Sequence, residues 1–360
     1  MRVLFVNARG DYANQFPPLG LLYLTSAARN AGHDVFFYDR GAYNADDVAF
    51  WNLVDRTQPE VFCLSLYTTQ IESSLVAIRD LKKRCPAAKI IVGGPHVSAL
   101  PTITLRNTPE ADFEVFGEGE ITLVQLLKTL QERSGKFEAI DGLIFRNGAE
   151  IVTNRARERM PNLDEIPFPA FDLITSFKYE YDKFAVGKRV GICVSSRGCP
   201  YNCTFCNKAV FGNRYTRRSP ENVIAEIRYQ KEVLGIDELY FVDDLFVTNE
   251  KWLDAFLDKY KASGIGLPWK CLGRVDQVYA ETYRKMRECG CYLVQFGVES
   301  GDERILKSIK KNITLPKVEA ALTEARRAGL NTSAFFIMGH PGDTAGSVTR
   351  TMDFAIRLNP

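Results

Sequence analysis

The sequence predicts an α/β chain in two parts, an open parallel sheet followed by a partial (βα) barrel. Three observations carry this. Short β-branched runs alternate with amphipathic stretches over residues 1–138, a proline-bearing segment interrupts them at 160–171, and a second alternation begins near residue 190. With 46% apolar and 25% charged residues the chain is globular rather than disordered or fibrous, and 360 residues accommodate about two domains.

The first alternation opens with the apolar run 3–6 and a helical pattern at 19–30 that Gly32 closes. Further strands are predicted at 34–38, 61–66, 89–92 and 112–116, with helices at 46–57, 71–84 and 120–133. Parallel neighbours need crossover connections, so five strands separated by helices form a Rossmann-like open parallel sheet. Ligands of such sheets bind where loops leave the carboxyl ends of the strands. Here those loops are 7–20, 67–70, 93–101 and 117–120. Gly93 and Gly94 directly follow a strand and suit either the close approach of a bulky ligand to bare backbone or a plain tight turn. Asn147-Gly148 between strand-like runs signals a hairpin. The stretch from Met160 to Phe171, with three prolines, reads as an interdomain linker. The expected division is 1–138, then hairpin and linker over 139–185, then a second domain over 186–360.

The second alternation places strands at 190–195, 238–242, 268–272, 292–298 and 332–337, each followed by a helical pattern. Five βα units in a row predict part of a parallel barrel. A complete (βα)8 barrel takes ~250 residues, and about 175 remain here. The chain stops after a helical pattern, where another strand is due, so a C-terminal truncation is expected. Forty-six basic against 44 acidic side chains leave a net charge of +2, too even for a polyanion-binding surface, and no nucleic-acid partner is expected. No run of ~18 uncharged apolar residues occurs and the N-terminal apolar run is short, which predicts neither membrane span nor signal peptide, and a cytoplasmic location.

Nine cysteines, an odd number in a chain of this length, do not suggest a disulfide framework. Cys63, Cys85, Cys193, Cys271, Cys289 and Cys291 are scattered through apolar or helical stretches and read as small buried hydrophobes. Cys199, Cys203 and Cys206 instead lie within eight residues, after the first strand of the second half, in a loop opened by Arg197-Gly198. Three thiolates on a short loop can hold one face of a 4Fe-4S cluster and leave one iron open. A structural zinc site would close with a fourth ligand, and no His or Cys follows closely after Cys206.

The spacing CxxxCxxC with Phe205 before its last cysteine resembles the radical S-adenosylmethionine (SAM) superfamily. In that family SAM chelates the open iron through its amino and carboxylate groups, and its reductive cleavage yields methionine and a 5′-deoxyadenosyl radical. The resemblance continues through YFVDDLF at 240–246, CLGRVD at 271–276, FGVESG at 296–301 and FIMGHPGDT at 336–344. It implies that Phe205, Asp243, Asp244, Arg274, Glu299 and Ser300 reach SAM from the strand ends. Taken singly, a carboxylate at a strand terminus also reads as a cap or a surface charge.

The first half resembles the cobalamin-binding domain that precedes the barrel in one large branch of the superfamily. The resemblance rests on FPPLGLLYL at 16–24, LSLYT at 64–68, IVGGPH at 91–96 and FGEGE at 116–120, and on the linker LDEIPFP at 163–169. The implied fold is a cobalamin-binding Rossmann-like sheet followed by a partial (βα)6 TIM-like radical SAM barrel. The implied cobalamin residues are Leu19, Gly20, Ser65, Thr68, Gly93, Gly94, Pro95, His96, Glu118 and Gly119. One departure matters: where cobalamin domains with a histidine lower ligand carry Asp-x-His-x-x-Gly, this loop begins Asn7-Ala-Arg-Gly10 and has no histidine. The implied cofactors are therefore a 4Fe-4S cluster, SAM and cobalamin without a histidine lower ligand. His33 closes a helix and His340 belongs to the barrel loop. His96 lies where the family holds the nucleotide tail, and reads equally as a turn residue satisfied by backbone.

Two activities follow from the resemblance. One is a methyltransferase that acts on an unactivated carbon through the 5′-deoxyadenosyl radical and methylcobalamin. The other is a non-methylating cyclase or rearrangement enzyme that uses cobalamin. A non-catalytic cobalamin-binding protein conflicts with the intact cysteine trio. A tRNA methylthiotransferase would need three further N-terminal cysteines, where only Cys63 and Cys85 occur. The expected partners are a small-molecule substrate of unknown class and a reductant such as flavodoxin or ferredoxin.

Overall fold

The computed structural model describes residues 1–10, 16–179, 184–248, 250–276 and 280–360. The chain divides into two compact units, Met1–Lys183 with Lys208–Phe211, and Phe184–Asn207 with Gly212–Pro360.

In the first unit, strands β1 (Arg2–Asn7), β2 (Asp34–Asp39), β3 (Val61–Ser65), β4 (Lys89–Gly93) and β5 (Phe113–Val115) alternate with helices α1 (Leu19–Asn30), α2 (Asp47–Thr57) and α3 (Ile71–Arg84). Helices α4 (Pro95–Ala99), α5 (Ile103–Asn107) and α6 (Glu120–Glu132) complete the alternation. The five strands are parallel in the order β2-β1-β3-β4-β5. This order reverses between β1 and β3, the switch point at which open α/β sheets bind ligands. One strand face, with Leu4, Val6, Phe62, Leu64, Ile90 and Val92, shares a core with Phe50 of α2 and Ile78 of α3. The intervening Val3, Phe5 and Ile91 are buried as well, so the strands are apolar on both faces, as sandwiched parallel strands must be.

The Asn-Gly hairpin forms as β6 (Leu143–Asn147) and β7 (Glu150–Thr153), but it does not stand apart from the first sheet. β6 pairs antiparallel with β5 and carries the sheet to seven strands. β5 has only three residues, and the hairpin covers an edge that would otherwise expose unpaired backbone groups. The loop expected at 93–101 also folds further, into α4, with Pro95 at a first position where no N–H is needed.

In the second unit, β8 (Val190–Cys193), then a two-stranded ribbon β9 (Ser196–Arg197) and β10 (Thr216–Arg217), lead into α7 (Pro220–Leu234). β11 (Glu238–Phe241), α8 (Glu250–Ala262), β12 (Trp269–Gly273), α9 (Ala280–Glu288) and β13 (Cys291–Glu299) follow. α10 (Glu303–Ser308), α11 (Leu315–Arg327), β14 (Asn331–Phe336) and α12 (Ala345–Leu358) end the described chain. The five main strands are parallel in the order β8-β11-β12-β13-β14, the stepwise winding of a (βα) barrel, and β8 and β14 lie at the two ends of the sheet. Phe241, Phe246, Phe256 and Trp269 pack as a buried aromatic cluster between sheet and α8, with Phe241 stacked on Phe246 at 4.3 Å. At the amino ends of the strands the fully buried Lys270 and Glu238 pair at 3.3 Å, and Glu238 accepts from the Val186 and Gly187 amides at 2.6 and 2.7 Å. Among the described residues no helix is long and apolar enough to cross a membrane.

Candidate active site

The cysteine loop leaves the carboxyl end of β8. Its root is tied to β11 through Asp243, which accepts from the Ser195 amide at 3.0 Å, from Ser195 Oγ at 2.8 Å and from Ser196 Oγ. Burial pushes the Asp243 carboxyl above its usual range, against these bonds. Asp243 thus fastens the loop, while its neighbour Asp244 is exposed. None of the nine cysteines is in a disulfide. Cys199 and Cys203 are half-buried and Cys206 is exposed. Among the described residues no three His, Cys, Asp or Glu side chains converge as ligands of a single metal ion. A cube does not ask for that convergence, since its cysteines bind different irons, and three thiols on one loop are the donor set such a cluster takes.

The carboxyl ends of β12 and β13 supply the other residues. Arg274, following β12, is buried, bonds Asp276 at 2.9 Å and the Lys311 carbonyl at 2.9 Å, and lies 3.7 Å from the centre of the Tyr201 ring. Glu299 ends β13 beside a register shift, with φ at +73°, a conformation costly for a non-glycine residue and worth noting at a strand end. Its carboxylate accepts from Lys311 Nζ at 2.8 Å, both groups being buried. Gly297 makes room for this pair, because a Cβ there would lie 2.5 Å from Glu299 Oε1 and 2.9 Å from Lys311 Nζ. Ser300 bonds Thr351 Oγ1 at 3.1 Å and accepts from the Asp302 amide at 3.1 Å, so its hydroxyl holds the turn together. Phe205 is 40% exposed, open enough to meet a ligand, and lies 5.5 Å from the ring of His340. His340 is buried, and among the described residues its Nε2 has no hydrogen-bond partner. Tyr201 and Lys311 were not singled out in the sequence: Tyr201 hides inside the cysteine motif, and Lys310-Lys311 has the look of a solvated helix end.

In the first unit the expected cobalamin residues lie beyond the carboxyl ends of β3, β4 and β5, with Leu19 and Gly20 beyond β1 at the start of α1. His96 sits on α4 rather than in a turn, and its Nδ1 is 3.0 Å from Thr68 Oγ1. Gly94 has φ at +94°, and a Cβ there would lie 2.5 Å from Ser65 Oγ, so its glycine is required by the packing of this turn itself. A Cβ on Gly93 would lie 3.0 Å from the Val115 carbonyl. Glu118 accepts from the Met160 amide at 3.0 Å and from Arg159 at 3.3 Å, fastening the start of the linker. Gly119 precedes α6 and packs against Leu24 and Val115, while Leu19 and Gly20 begin α1. Residues 11–15 of the β1 loop lie outside the described residues. Two residues not singled out from the sequence close the switch point. Asp39 at the end of β2 accepts from Asn7 Nδ2 at 2.8 Å, from the Gly41 amide at 2.9 Å and from the Tyr179 hydroxyl at 3.1 Å. Burial outweighs these bonds and pushes the Asp39 carboxyl up. The other face of Asn7 offers a buried Oδ1 with no hydrogen-bond partner among the described residues, at the point where a ligand of this sheet would sit.

Two family models match the chain, the Radical SAM superfamily over residues 193–355 and the B12 binding domain over residues 7–127. An uncharacterized methyltransferase of Pyrococcus horikoshii is 33% identical over 344 residues, which cover 95% of this chain and 74% of the relative. The chain belongs to the cobalamin-dependent radical SAM methyltransferase family. The cytidylyl-2-hydroxyethylphosphonate methyltransferase of Streptomyces wedmorensis is 29% identical over 94% of this chain and 73% of its own length. Among solved structures, the cobalamin-dependent S-adenosylmethionine radical enzyme OxsB superposes with a TM-score of 0.82 at 21% identity, over 98% of this chain and 51% of that one. The chain thus spans about three quarters of the two methyltransferases and about half of OxsB. Membership makes it an enzyme with a 4Fe-4S cluster, SAM and cobalamin as cofactors, a small-molecule substrate and a reductant.

Proposed function

We propose that the enzyme transfers a methyl group to an unactivated carbon of a small molecule, starting from a 5′-deoxyadenosyl radical. The observation that carries this is the loop of three thiols at the carboxyl end of β8, in a chain whose other sheet has its own switch point. The higher identity to a methyltransferase, 33% against 27% for an anaerobic magnesium-protoporphyrin IX monomethyl ester cyclase of Cereibacter sphaeroides that matches all of this chain, supports methylation over a cyclase or rearrangement. When bound, the cluster supplies the electron that cleaves SAM, and cobalamin supplies a carrier for the methyl group.

The chain's own residues hold and orient. Cys199, Cys203 and Cys206 ligate the cluster. Phe205, Asp244, Arg274 and Glu299 border SAM at the strand ends, while Asp243 and Ser300 serve it by fixing the loops that bear the others. Residues 1–138 would hold cobalamin through Leu19, Gly20, Ser65, Thr68, Gly93, Gly94, Pro95, His96, Glu118 and Gly119, and the loop after β1 would offer it no histidine as a lower ligand. The barrel residues 186–360 carry the cluster, and 139–185 join the two. A flavodoxin or ferredoxin in the cytoplasm fits as reductant, and the even charge of the chain fits a partner list without nucleic acid.

Anaerobic incubation of reconstituted enzyme with methyl-labelled SAM and candidate substrates tests the reading. Label in product, with S-adenosylhomocysteine and 5′-deoxyadenosine formed together, is the expected result. Formation of 5′-deoxyadenosine alone, with unlabelled product, would transfer the assignment to a cyclase.

A further inference from the structure

The cysteine loop contains two aromatic residues, Tyr201 and Phe205, one between each pair of cysteines, and each meets a buried cation from elsewhere in the second unit. Arg274 lies over Tyr201 with its guanidinium carbon 3.7 Å from the ring centre. Lys311 lies over Phe205 with Nζ 5.9 Å from the ring centre. The two cations are joined, because Arg274 Nη2 donates to the Lys311 carbonyl at 2.9 Å. The same segment grips the loop by its backbone: the Thr204 amide donates to the Ile309 carbonyl at 3.0 Å, and Cys203 Sγ lies 3.9 Å from the Lys310 carbonyl.

We propose that Arg274 and Lys311 form one cationic clamp that holds residues 199–206 by their two aromatic rings in the shape the three thiols require. The geometry stands by itself, and its consequence for a cluster rests on the assignment of Cys199, Cys203 and Cys206 as ligands.

The surrounding structure is built to keep the cations there. Lys310 and Asn312 on either side of Lys311 have φ at +55°, so the segment turns sharply enough to present both the carbonyl to Arg274 and the ammonium to Glu299. An ammonium is buried at cost unless it is paired, and Glu299 supplies the pair. Gly297 leaves the space that both need. Asp276 holds the guanidinium of Arg274 through Nε and Nη2 at 2.9 and 3.2 Å, which aims its flat face at Tyr201. Both cations are buried, Tyr201 is half-buried and Phe205 is open, so the contact of Arg274 with Tyr201 is the stronger of the two. Two such contacts on one eight-residue loop therefore hold that loop in the observed shape even before a cluster is present. Lys311 and Arg274 act here as positioning residues, through Phe205 and Tyr201 rather than by touching the reacting atoms.

The test is the alkylation rate of Cys203 by iodoacetamide in the cluster-free full chain, read by mass spectrometry, with circular dichroism melts confirming that each variant is folded. Arg274→Lys, and Lys311→Met combined with Glu299→Gln so that no unpaired carboxylate is left buried, should each speed alkylation about tenfold. Lys311→Arg, which keeps the cation, should stay near the wild-type rate. After reconstitution the first two variants should also give clusters with shifted midpoint potentials and altered EPR g-values, since the loop that bears the three thiols is no longer held in one shape. Cys203 rates within about twofold of wild type in every folded variant would overturn the clamp. Failure of wild type itself to take up iron and sulfide would instead overturn the ligand assignment, with the alkylation rates still deciding the clamp.

Discussion

Asp243, Glu299 and Asp302 are three buried carboxylates of one unit with three different surroundings. Asp243 meets hydroxyls and a backbone amide, so burial prevails and its carboxyl is pushed up. Glu299 meets an ammonium. Asp302 caps α10 through the Arg304 and Ile305 amides and takes the guanidinium of Arg350 from α12. Burial opposes its ionisation, but Arg350, Arg304 and the two amides outweigh it and hold the carboxyl down to about 2. A group whose folded pKa lies below its unfolded value stabilises the fold above the unfolded value and loses that contribution as pH falls toward the folded one. Asp302→Ala should therefore cost about 1–2 kcal/mol at neutral pH, and the gap to wild type should begin to narrow as pH drops through about 4. Urea unfolding from pH 7 to pH 3 checks this, and a gap independent of pH would show that Asp302 stabilises by shape rather than charge.

The elements divide by how local their causes are. Helices α2, α7 and α10 begin at Asp46, Ser219 and Asp302, whose side chains accept from the first-turn amides, and such starts are written in consecutive residues. The long strands and helices were legible for the same reason, their period being visible within a window of the chain. The ribbon of β9 and β10 was not, since two-residue strands carry no period and exist only because Ser196 and Arg217 meet across a loop. Nor does Asn147-Gly148 say which sheet the hairpin will join, because that depends on the open edge of β5. Packing between elements is where most stability resides. Phe256 of α8 is fully buried and touches Phe241, Phe246, Trp252 and Trp269, with Trp252 stacked at 5.4 Å. Phe256→Ala should cost about 3–5 kcal/mol in chemical denaturation of the second unit. A loss under about 1 kcal/mol would mean that this side chain is not the core contact its burial implies.

At the scale of the whole molecule, two sheets each present a set of carboxyl-end loops. The cysteine trio was legible as a group because its three thiols are close in sequence. Lys311 was not, because it reaches the loop from about a hundred residues further on, through a turn between α10 and α11. Asn7 and Asp39 escaped notice because a short polar residue at a strand end looks like any other cap until the strand order places the two side by side. Conversely, the Gly93-Gly94 pair that suggested a ligand cradle has a sufficient cause in the fold, the contact with Ser65 and Val115. The decisive measurement is combined absorption and EPR spectroscopy of Cys203→Ala beside wild type, both reconstituted anaerobically with iron, sulfide and cobalamin. Wild type should show a reducible 4Fe-4S signal and a bound corrin, and the variant should lose the first while retaining the second, because each belongs to a separate unit. Loss of both in the variant, or a wild type that takes up neither, would contradict the assignment of one cofactor to each sheet.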